Sequence, residues 1–189
     1  MQRHFSILSD TIETGGFGIF GLMEIVPGTP ADLDPLMEMI RAIVTHMNAN
    51  GIDQWHPEYP NPEVIGRDLE QGTLHCLKIN GSFAGMIVVN EDYDEEYNAI
   101  EWLTPPNKSL YVHRLAVHPD YQGKGLGRML MDFAEAKAED EGYLSVRLDT
   151  YTGNPGNMRL YEKLGYTTLG TLHLPYRPKL FVCYEKLVP

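Results

Sequence analysis

The heptapeptide Gln122-Gly123-Lys124-Gly125-Leu126-Gly127-Arg128 places three glycines at alternate positions in the second half of a 189-residue chain. Glycine has no side chain, so the backbone can approach a ligand closely and turn its N–H groups inward. A helix that follows such a loop adds the partial positive charge of its N-terminus. The heptapeptide therefore predicts a binding site for a phosphate or pyrophosphate group.

The flanking segments predict a strand before this loop and a helix after it. Residues 109–117 mix β-branched, aromatic and alternating polar side chains, as a half-buried strand does, and His118-Pro119-Asp120 ends the run. After the loop, Gly142 provides a stop for a helix whose apolar residues recur at helical spacing: Leu126, Leu130, Phe133, Ala134 and Ala138.

Two well-known phosphate loops share the order of strand, glycine loop and helix, but their spacing does not fit. A Walker loop requires Lys and then Ser or Thr after its last glycine, whereas Arg128 follows Gly127. The dinucleotide fingerprint Gly-x-Gly-x-x-Gly has Arg128 where its third glycine should stand. The spacing that fits is Gln/Arg-x-x-Gly-x-Gly/Ala, the acyl-CoA loop, matched by Gln122, Gly125 and Gly127.

Together with this loop, two further segments resemble the GNAT superfamily of acyl-CoA-dependent N-acyltransferases. Residues 112–119 look like the central strand of that family, and residues 154–166 look like its last helix with a Leu-Tyr-Glu-Lys-Leu-Gly-Tyr ending. The specific part of the likeness covers residues 109–166, and before Glu101 only the order of elements agrees. The resemblance implies an α/β (α+β) fold with a mixed, mostly antiparallel central sheet that is splayed at its middle and flanked by helices.

The resemblance also implies a reaction, the direct transfer of an acetyl group from acetyl-CoA to a primary amine of a small molecule or peptide. Tyr161 would be the general acid for the departing thiolate, because a thiol and a phenol have comparable reference pKa values of about 8.5 and about 10. Its alternative is a core tyrosine, and Asn157 departs from a family pattern that commonly has a small residue there. The implied cofactor-binding residues are Leu115, Ala116, Val117, Gln122, Gly123, Lys124, Gly125, Leu126, Gly127, Arg128, Asn154 and Tyr161.

The general base is open. Glu101 and His113 are candidates because both are expected in strands near the cleft, and a water relay is a further alternative. Side-chain alternation puts His113 opposite Arg114, so one of the two should face the core or the helices. The strand end at residues 149–151 either orients the acceptor or forms a cap and turn. Because no base is clear, a non-catalytic acyl-CoA-binding or sensor module is the rival function.

The formal net charge of −11, from 26 acidic and 15 basic residues, is the wrong sign for a nucleic-acid binder and favours a cationic acceptor. Lys124 and Arg128 would supply the local positive field that acetyl-CoA needs. The acidic run at residues 91–96 is either a solvated loop or a means of attracting an amine. The histidines and cysteines show no metal-ligand spacing, so no metal is expected, and Cys76 and Cys183 are expected as free buried thiols.

The length and the 43% hydrophobic content predict one domain at residues 22–189. Residues 1–21 are expected to be a disordered or vector-derived leader. No apolar run approaches the ~20 residues of a membrane span, so we expect a cytoplasmic protein. Its assembly is open, with a homodimer as one alternative.

The remaining pattern predicts two helices, an aromatic segment between them and seven further strands. The first helix follows Thr29-Pro30-Ala31-Asp32 and ends at Gly51, and the second runs from Asn61-Pro62 to Glu70. The aromatic segment at residues 52–60 between them either walls a pocket or covers the core with Trp55. Besides the strand at 109–117, strands are predicted at residues 22–26, 74–79, 83–90, 97–102, 143–150, 167–174 and 181–187.

Overall fold

The computed structural model describes residues 22–174 and 178–189, and the predicted leader at residues 1–21 lies outside them. Within these ranges one seven-stranded sheet has the order β1-β2-β3-β4-β5-β7-β6. The strands are β1 Met23–Pro27, β2 Leu74–Ile79, β3 Ser82–Asn90, β4 Ser109–Val117, β5 Ser145–Tyr151, β6 Thr167–Leu172 and β7 Phe181–Leu187. The α-helices are α1 Leu33–Ala49, α2 Pro62–Glu70, α3 Leu126–Asp140 and α4 Pro155–Lys163.

The sheet is antiparallel except at its centre, where β4 and β5 are parallel and soon part. Their pairing consists of Ser109 with Ser145, Leu110 with Val146 and Tyr111 with Arg147. On its other side β4 stays paired with β3 as far as Val117. Among the described residues, the β5-facing edge of β4 beyond Tyr111 therefore has no strand partner, and the prediction of a mixed sheet splayed at its middle is confirmed.

The helices cover both faces of the sheet, as the alternation of β3 shows. Met86 and Val88 pack in the cluster of α1 and α2, whereas Ile87 and Val89 pack in the cluster of α3 and α4. Successive side chains of a strand point to opposite faces, so the two clusters lie on opposite sides of the sheet. Both helix pairs are thus anchored on the same central strand.

A β-bulge in β4 breaks the expected alternation next to the splayed edge. Met86 pairs with Ala116 and Val88 pairs with His113, so β4 carries one residue more than β3 between these rungs. Arg114 adopts a left-handed backbone with φ of 47°, which costs a non-glycine residue roughly 1–2 kcal/mol. Two hydrogen bonds of 2.7 Å from its guanidinium to the Asp68 carboxylate offset this cost.

The prediction of a strand at residues 97–102 is wrong. Glu95–Ala99 forms a 3-10 turn, and the chain after it is a loop. The ring of Tyr97 stacks on Trp102 at 5.3 Å and lies 5.7 Å from Tyr111, so this aromatic run is buried by packing on the sheet face. A short apolar run has the same sequence pattern in a strand as in a buried turn or loop, so periodicity alone does not distinguish these structures.

A buried ion pair lies at the last point where β4 and β5 are still paired, because it includes Arg147, the partner of Tyr111. Arg147 and Glu185 are fully buried, with Nε of Arg147 3.0 Å from Oε1 of Glu185. The guanidinium also donates to the Tyr111 hydroxyl at 2.9 Å and lies 4.5 Å from the Trp102 ring. Burial alone would raise the pKa of Glu185, but hydrogen bonds from Ser145, Thr104, the Leu103 N–H and Arg147 hold that pKa below its ordinary value.

Replacing Thr104 with Val should destabilise this network measurably. The Thr104 hydroxyl is hydrogen bonded to Ser109 at 2.8 Å, to Ser145 at 2.7 Å and to Glu185, and valine leaves those groups short of a partner. We expect a loss of about 1–3 kcal/mol in the free energy of unfolding, measured by urea denaturation. The matched control, Thr167→Val at an exposed position of β6, should change it by less than about 0.5 kcal/mol. Equal effects of both changes would contradict a stabilising role for the hydroxyl.

The two cysteines lie in strands that are not neighbours, Cys76 in β2 and Cys183 in β7, and both thiols are free and buried. The prediction of free buried thiols is confirmed.

Candidate active site

A cavity of about 970 Å³ lies where β4 and β5 have parted. Its walls come from the loop before α2, from α2 itself, from the acidic run, from the β4 bulge, from the end of β5 and from α4. The described lining residues include Gln54, Trp55, Asp68, Asp92, Asp94, Glu96, His113, Arg114, Leu115, Asp149, Asn157 and Tyr161. The predicted pocket wall at residues 52–60 is confirmed, although Trp55 also packs in the core and is only 5% exposed.

The structure brings together some of the predicted site residues and separates others. Tyr161, His113 and Leu115 line the cavity, and Arg114 lines it as well. Arg114 is hydrogen bonded to Asp68 on α2, as expected of one member of the pair, but the bulge also lets both residues line the cavity. Glu101 is exposed in the loop after the 3-10 turn and is not among the described lining residues, so the expected strand that would bring it to the cleft is absent there.

The glycine loop follows β4 and leads directly into α3, beside the cavity rather than in its wall. Gly123 and Gly125 have φ of 76° and 82°, and a Cβ placed on either would meet no atom within 4 Å. Gly125 is the N-cap of α3, and no side chain in the part of the chain that the structure describes caps that helix, so the N–H groups of its first turn are open to an anion. This geometry fits the predicted pyrophosphate site.

The other loop residues have distinct surroundings. Arg128 and Gln122 are exposed, and the Gln122 side chain donates to the Val117 carbonyl at 3.1 Å. The Lys124 ammonium group donates to the Asp120 carbonyl at 2.9 Å, and this hydrogen bond keeps the positive charge of Lys124 close to the loop. A Cβ on Gly127 would stand 3.3 Å from Leu160 of α4, so this glycine also permits close packing of the two helices.

Asn154, predicted to bind the cofactor, has a structural role. Its side-chain oxygen accepts from the Asn157 N–H at 3.3 Å and caps α4, while its amide donates to Gln54 at 2.8 Å. These two hydrogen bonds tie the start of α4 to the loop that walls the cavity. The cap also sets the orientation of α4, the helix that carries Tyr161.

Tyr161 is held in place by two other tyrosines. Its ring is 6.0 Å from that of Tyr166 and 5.6 Å from that of Tyr184, and only 4% of the residue is exposed. Burial and the nearby negative charge of Asp149 raise the pKa of the Tyr161 phenol well above its usual range. The phenol is therefore protonated at neutral pH, which is the state that a proton donor requires.

His113 has little capacity to act as a base. Its Nε2 lies 2.9 Å from the Asp92 carbonyl, which accepts a hydrogen bond, so the neutral ring carries its proton on Nε2. Burial and the neighbouring charge of Arg114 lower the pKa of His113 to about 4. The ring is neutral at pH 7 and gains a proton only under acid conditions.

Carboxylates outnumber cations around the cavity. The charge of Asp68 is balanced by Arg114, but Asp92, Asp94 and Glu96 of the acidic run also line the walls, as does Asp149. The acidic run thus borders the cavity instead of extending away from it. The local charge is of the sign that attracts a cation.

Asp149 and Tyr97 form a pair that the sequence did not suggest. The Tyr97 hydroxyl donates to Oδ1 of Asp149 across 52 positions of the chain. Burial and the charge of Asp94 raise the pKa of Asp149 to about 6, although the hydrogen bond from Tyr97 opposes the rise. The sequence shows Asp149 only as a carboxylate near the end of a predicted strand. No local pattern indicates that it pairs with Tyr97, which lies 52 positions earlier.

The parts of the chain that the structure describes contain no group of three or more His, Cys, Asp or Glu residues placed to hold a metal ion. Among the helices in those parts, none combines the length and the apolar character needed to cross a membrane.

Comparison with protein families gives a match to the Acetyltransferase (GNAT) family over residues 39–166. The uncharacterized N-acetyltransferase YesJ of Bacillus subtilis is 21% identical over 168 residues, which cover 88% of this chain and 89% of that protein. The ribosomal protein bS18-alanine N-acetyltransferase of Salmonella typhimurium is 36% identical over 67 residues, but this match covers only 35% of this chain and 45% of the relative.

Solved structures with the same architecture include a GNAT family acetyltransferase from Streptococcus agalactiae. It has a TM-score of 0.75 and 26% identity, with 88% of this chain and 96% of that chain covered. The YncA acetyltransferase of Salmonella typhimurium, solved with its cofactor acetyl-CoA, has a TM-score of 0.66 at 18% identity, with 88% of this chain and 94% of that chain covered. At 18% identity, the similarity to the YncA structure concerns the fold alone.

Proposed function

Because this chain belongs to the GNAT acetyltransferase family, we propose that it transfers an acetyl group from acetyl-CoA directly to a primary amine of a small molecule or peptide. The observation that carries this proposal is the parting of β4 from β5 beside a cavity that Tyr161 lines, next to a glycine loop at an open helix N-terminus. We assign the activity to one domain, residues 22–189. The rival function, an acyl-CoA sensor without turnover, shares the loop but makes no use of a protonated phenol in the cavity.

Each part of the site would have a separate task with acetyl-CoA, which supplies the activated thioester. The N–H groups at the start of α3, with Lys124 and Arg128, would bind the pyrophosphate. The unpaired edge of β4 at residues 115–117 would donate N–H groups to the pantetheine and to the thioester carbonyl, as the freed amides of a splayed sheet can. Tyr161 would hold the proton that the departing thiolate takes.

The acceptor amine is cationic in water, and the charge around the cavity supports its binding. Asp94 and Glu96 lie in the wall where a positively charged group would enter. Among the relatives, one is named for acting on an alanine of ribosomal protein bS18 and another, from Bacillus subtilis, for acting on S-alkylcysteine. Both names describe N-acetylation of an amino-acid unit, which is consistent with an amine acceptor here.

The proposal is tested by offering the protein a broad panel of amines at fixed acetyl-CoA concentration. CoA release is followed with a thiol reagent, and the product is checked by mass spectrometry for one added acetyl group. The proposal expects CoA release that depends on both protein and amine, with an N-acetylated product. Tight acetyl-CoA binding without acetylation of any amine would instead support the sensor.

Removing negative charge from the cavity wall should weaken acceptor binding more than turnover. In the double variant Asp94→Asn and Glu96→Gln, we expect KM for the amine to rise by about three- to tenfold at low salt, because exposed charge pairs contribute about 0.2–1 kcal/mol each. The increase should shrink as salt screens the wild-type attraction. Glu139→Gln, an exposed change near the far end of α3, is the matched control and should leave KM unchanged. An unchanged KM in the double variant would mean that these carboxylates do not contact the acceptor.

A further inference from the structure

Asp149 stands on β5 at the point where the sheet has opened. It lies two residues beyond Arg147, the last β5 residue that pairs with β4, so the two side chains share one face of the sheet. Arg147 is buried beneath the aromatic packing, whereas Asp149 is only half-buried and lines the cavity. The departure of β4 is what gives the Asp149 carboxylate access to a ligand.

Tyr97 fixes the orientation of that carboxylate. Its hydroxyl donates to Oδ1 of Asp149, and its ring is 2% exposed and held by Trp102 and Tyr111. In the described ranges Tyr97 is the side chain hydrogen bonded to Asp149, and the backbone N–H of Asp149 is a further donor to its carboxylate. The carboxylate is thus held in place while the residue lines the cavity.

We infer that Asp149 is the proton acceptor for the incoming amine and that Tyr97 is the residue that positions it. The inference rests on the proposed acetyl transfer. The ammonium group of the acceptor gives one proton to Asp149, which keeps it until the thiolate has left and then passes it to solvent. The free amine forms a carbon–nitrogen bond with the thioester carbonyl carbon, the carbon–sulfur bond breaks, and Tyr161 protonates the sulfur. The second proton on nitrogen then restores Tyr161, so that one proton is released per amide formed.

Among the candidates for this step, Asp149 has the best combination of position and basicity. Glu101 is exposed outside the described wall of the cavity, and the His113 Nε2–H is donated to the Asp92 carbonyl, which leaves Nδ1 as the nitrogen that can take a proton. Burial raises the pKa of Asp149 to about 6, whereas burial lowers that of His113 to about 4. Asp149 is therefore the stronger base of the two, because burial shifts the two pKa values in opposite directions.

The charge of Asp149 acts on the groups that face it, so its protonation affects the later step in which Tyr161 protonates the thiolate. They are Tyr97 in the 3-10 turn, Asp94 in the acidic run, Cys183 on β7 and Tyr161 on α4. The Cys183 thiol is neutral, because burial raises its pKa to about 12. The negative charge of Asp149 raises the pKa of Tyr161. Once Asp149 has taken the amine proton that charge is gone, and Tyr161 becomes a stronger acid just when the thiolate leaves.

The kinetic test is Asp149→Asn, which keeps the size of the side chain and removes its basicity. With an amine that the wild type acetylates, we expect kcat to fall by about 10²–10⁴-fold, while acetyl-CoA affinity stays within about threefold of wild type. In wild type, kcat/KM should rise with pH through about 6, because the ionised carboxylate is the active form, and the variant should lose this limb. Asp140→Asn at the exposed end of α3 should keep both rate and profile. A variant rate within about threefold of wild type would overturn the inference.

A second measurement needs no turnover and separates this inference from the proposed function. The carboxyl carbon of Asp149 is followed by NMR against pH and assigned by its absence in Asp149→Asn. We expect a pKa of about 6 in the wild type and a higher value in Tyr97→Phe, because the phenol stabilises the charged form. An ordinary value near 3.9, or no change in Tyr97→Phe, would overturn the role of the pair. If no amine is acetylated, the proposed function fails, and the role of Asp149 as proton acceptor falls with it whatever its pKa.

Discussion

Replacing Tyr161 with Phe should lower turnover by about 10²–10⁴-fold while acetyl-CoA still binds, because the substitution removes a general acid and nothing else. Phenylalanine keeps the ring that packs between Tyr166 and Tyr184, so the fold should be unaffected. The raised pKa of the Tyr161 phenol keeps its proton in place at neutral pH, and the variant has no such proton to give. The measurement is CoA release at saturating acetyl-CoA, with affinity determined separately by calorimetry.

The matched control is Tyr166→Phe, which removes a hydroxyl from the neighbouring buried ring that is not among the described cavity-lining residues. It should change turnover by less than about threefold. Since slow product release can hide the chemical step, both variants are compared in a single-turnover experiment as well. A single-turnover rate for Tyr161→Phe within about threefold of wild type would remove Tyr161 from the mechanism.

The order of elements and the loop could be predicted because their signals are local. The glycines of residues 122–128, the strand before them and the helix after them lie within one short stretch, and the structure has each in the predicted place. The helix starts predicted at Asn61 and Asn154 are also local, and in the structure the side chain of each accepts from a backbone N–H three residues later. Capping and turn chemistry act over a few residues, so a single sequence contains them.

The features of the site that could not be predicted from the sequence depend on contacts between residues that are far apart in the chain. The left-handed backbone at Arg114 is stabilised by Asp68 on α2, and no feature of β4 alone indicates a bulge there. The pairing of Tyr97 with Asp149 likewise needs a 3-10 turn to be buried against the sheet, where the sequence predicts a strand. Because the sequence predicts a strand at residues 97–102, it places Glu101 near the cleft and gives no indication that Tyr97 pairs with Asp149, the best candidate for the base.

Replacing Gly125 with Glu should reduce acetyl-CoA affinity by about a hundredfold or more. Gly125 is the N-cap of α3, and a side chain there would enter open space beside the N–H groups of the first turn. A carboxylate at a helix N-terminus is attracted by the same partial positive charge that a pyrophosphate would use, so it would occupy the site and repel the ligand. Loss of even one or two hydrogen bonds to a charged group costs about 1.5–3 kcal/mol each, which gives the expected factor. Calorimetric titration with acetyl-CoA measures it.

Gly142, at the opposite end of α3, provides the control for backbone strain. Its φ of 78° is close to the 82° of Gly125, and a Cβ there would also meet nothing within 4 Å. Gly142→Glu therefore carries the same charge change and a similar conformational cost of roughly 1–2 kcal/mol, far from the loop. If the loop binds the pyrophosphate, both variants should lose stability, Gly142→Glu by about 1 kcal/mol more because its charge lies at the negative end of the helix, but only Gly125→Glu should lose affinity. Equal affinity in the two variants would show that acetyl-CoA does not use the start of α3, because strain and charge would then account for every difference from wild type.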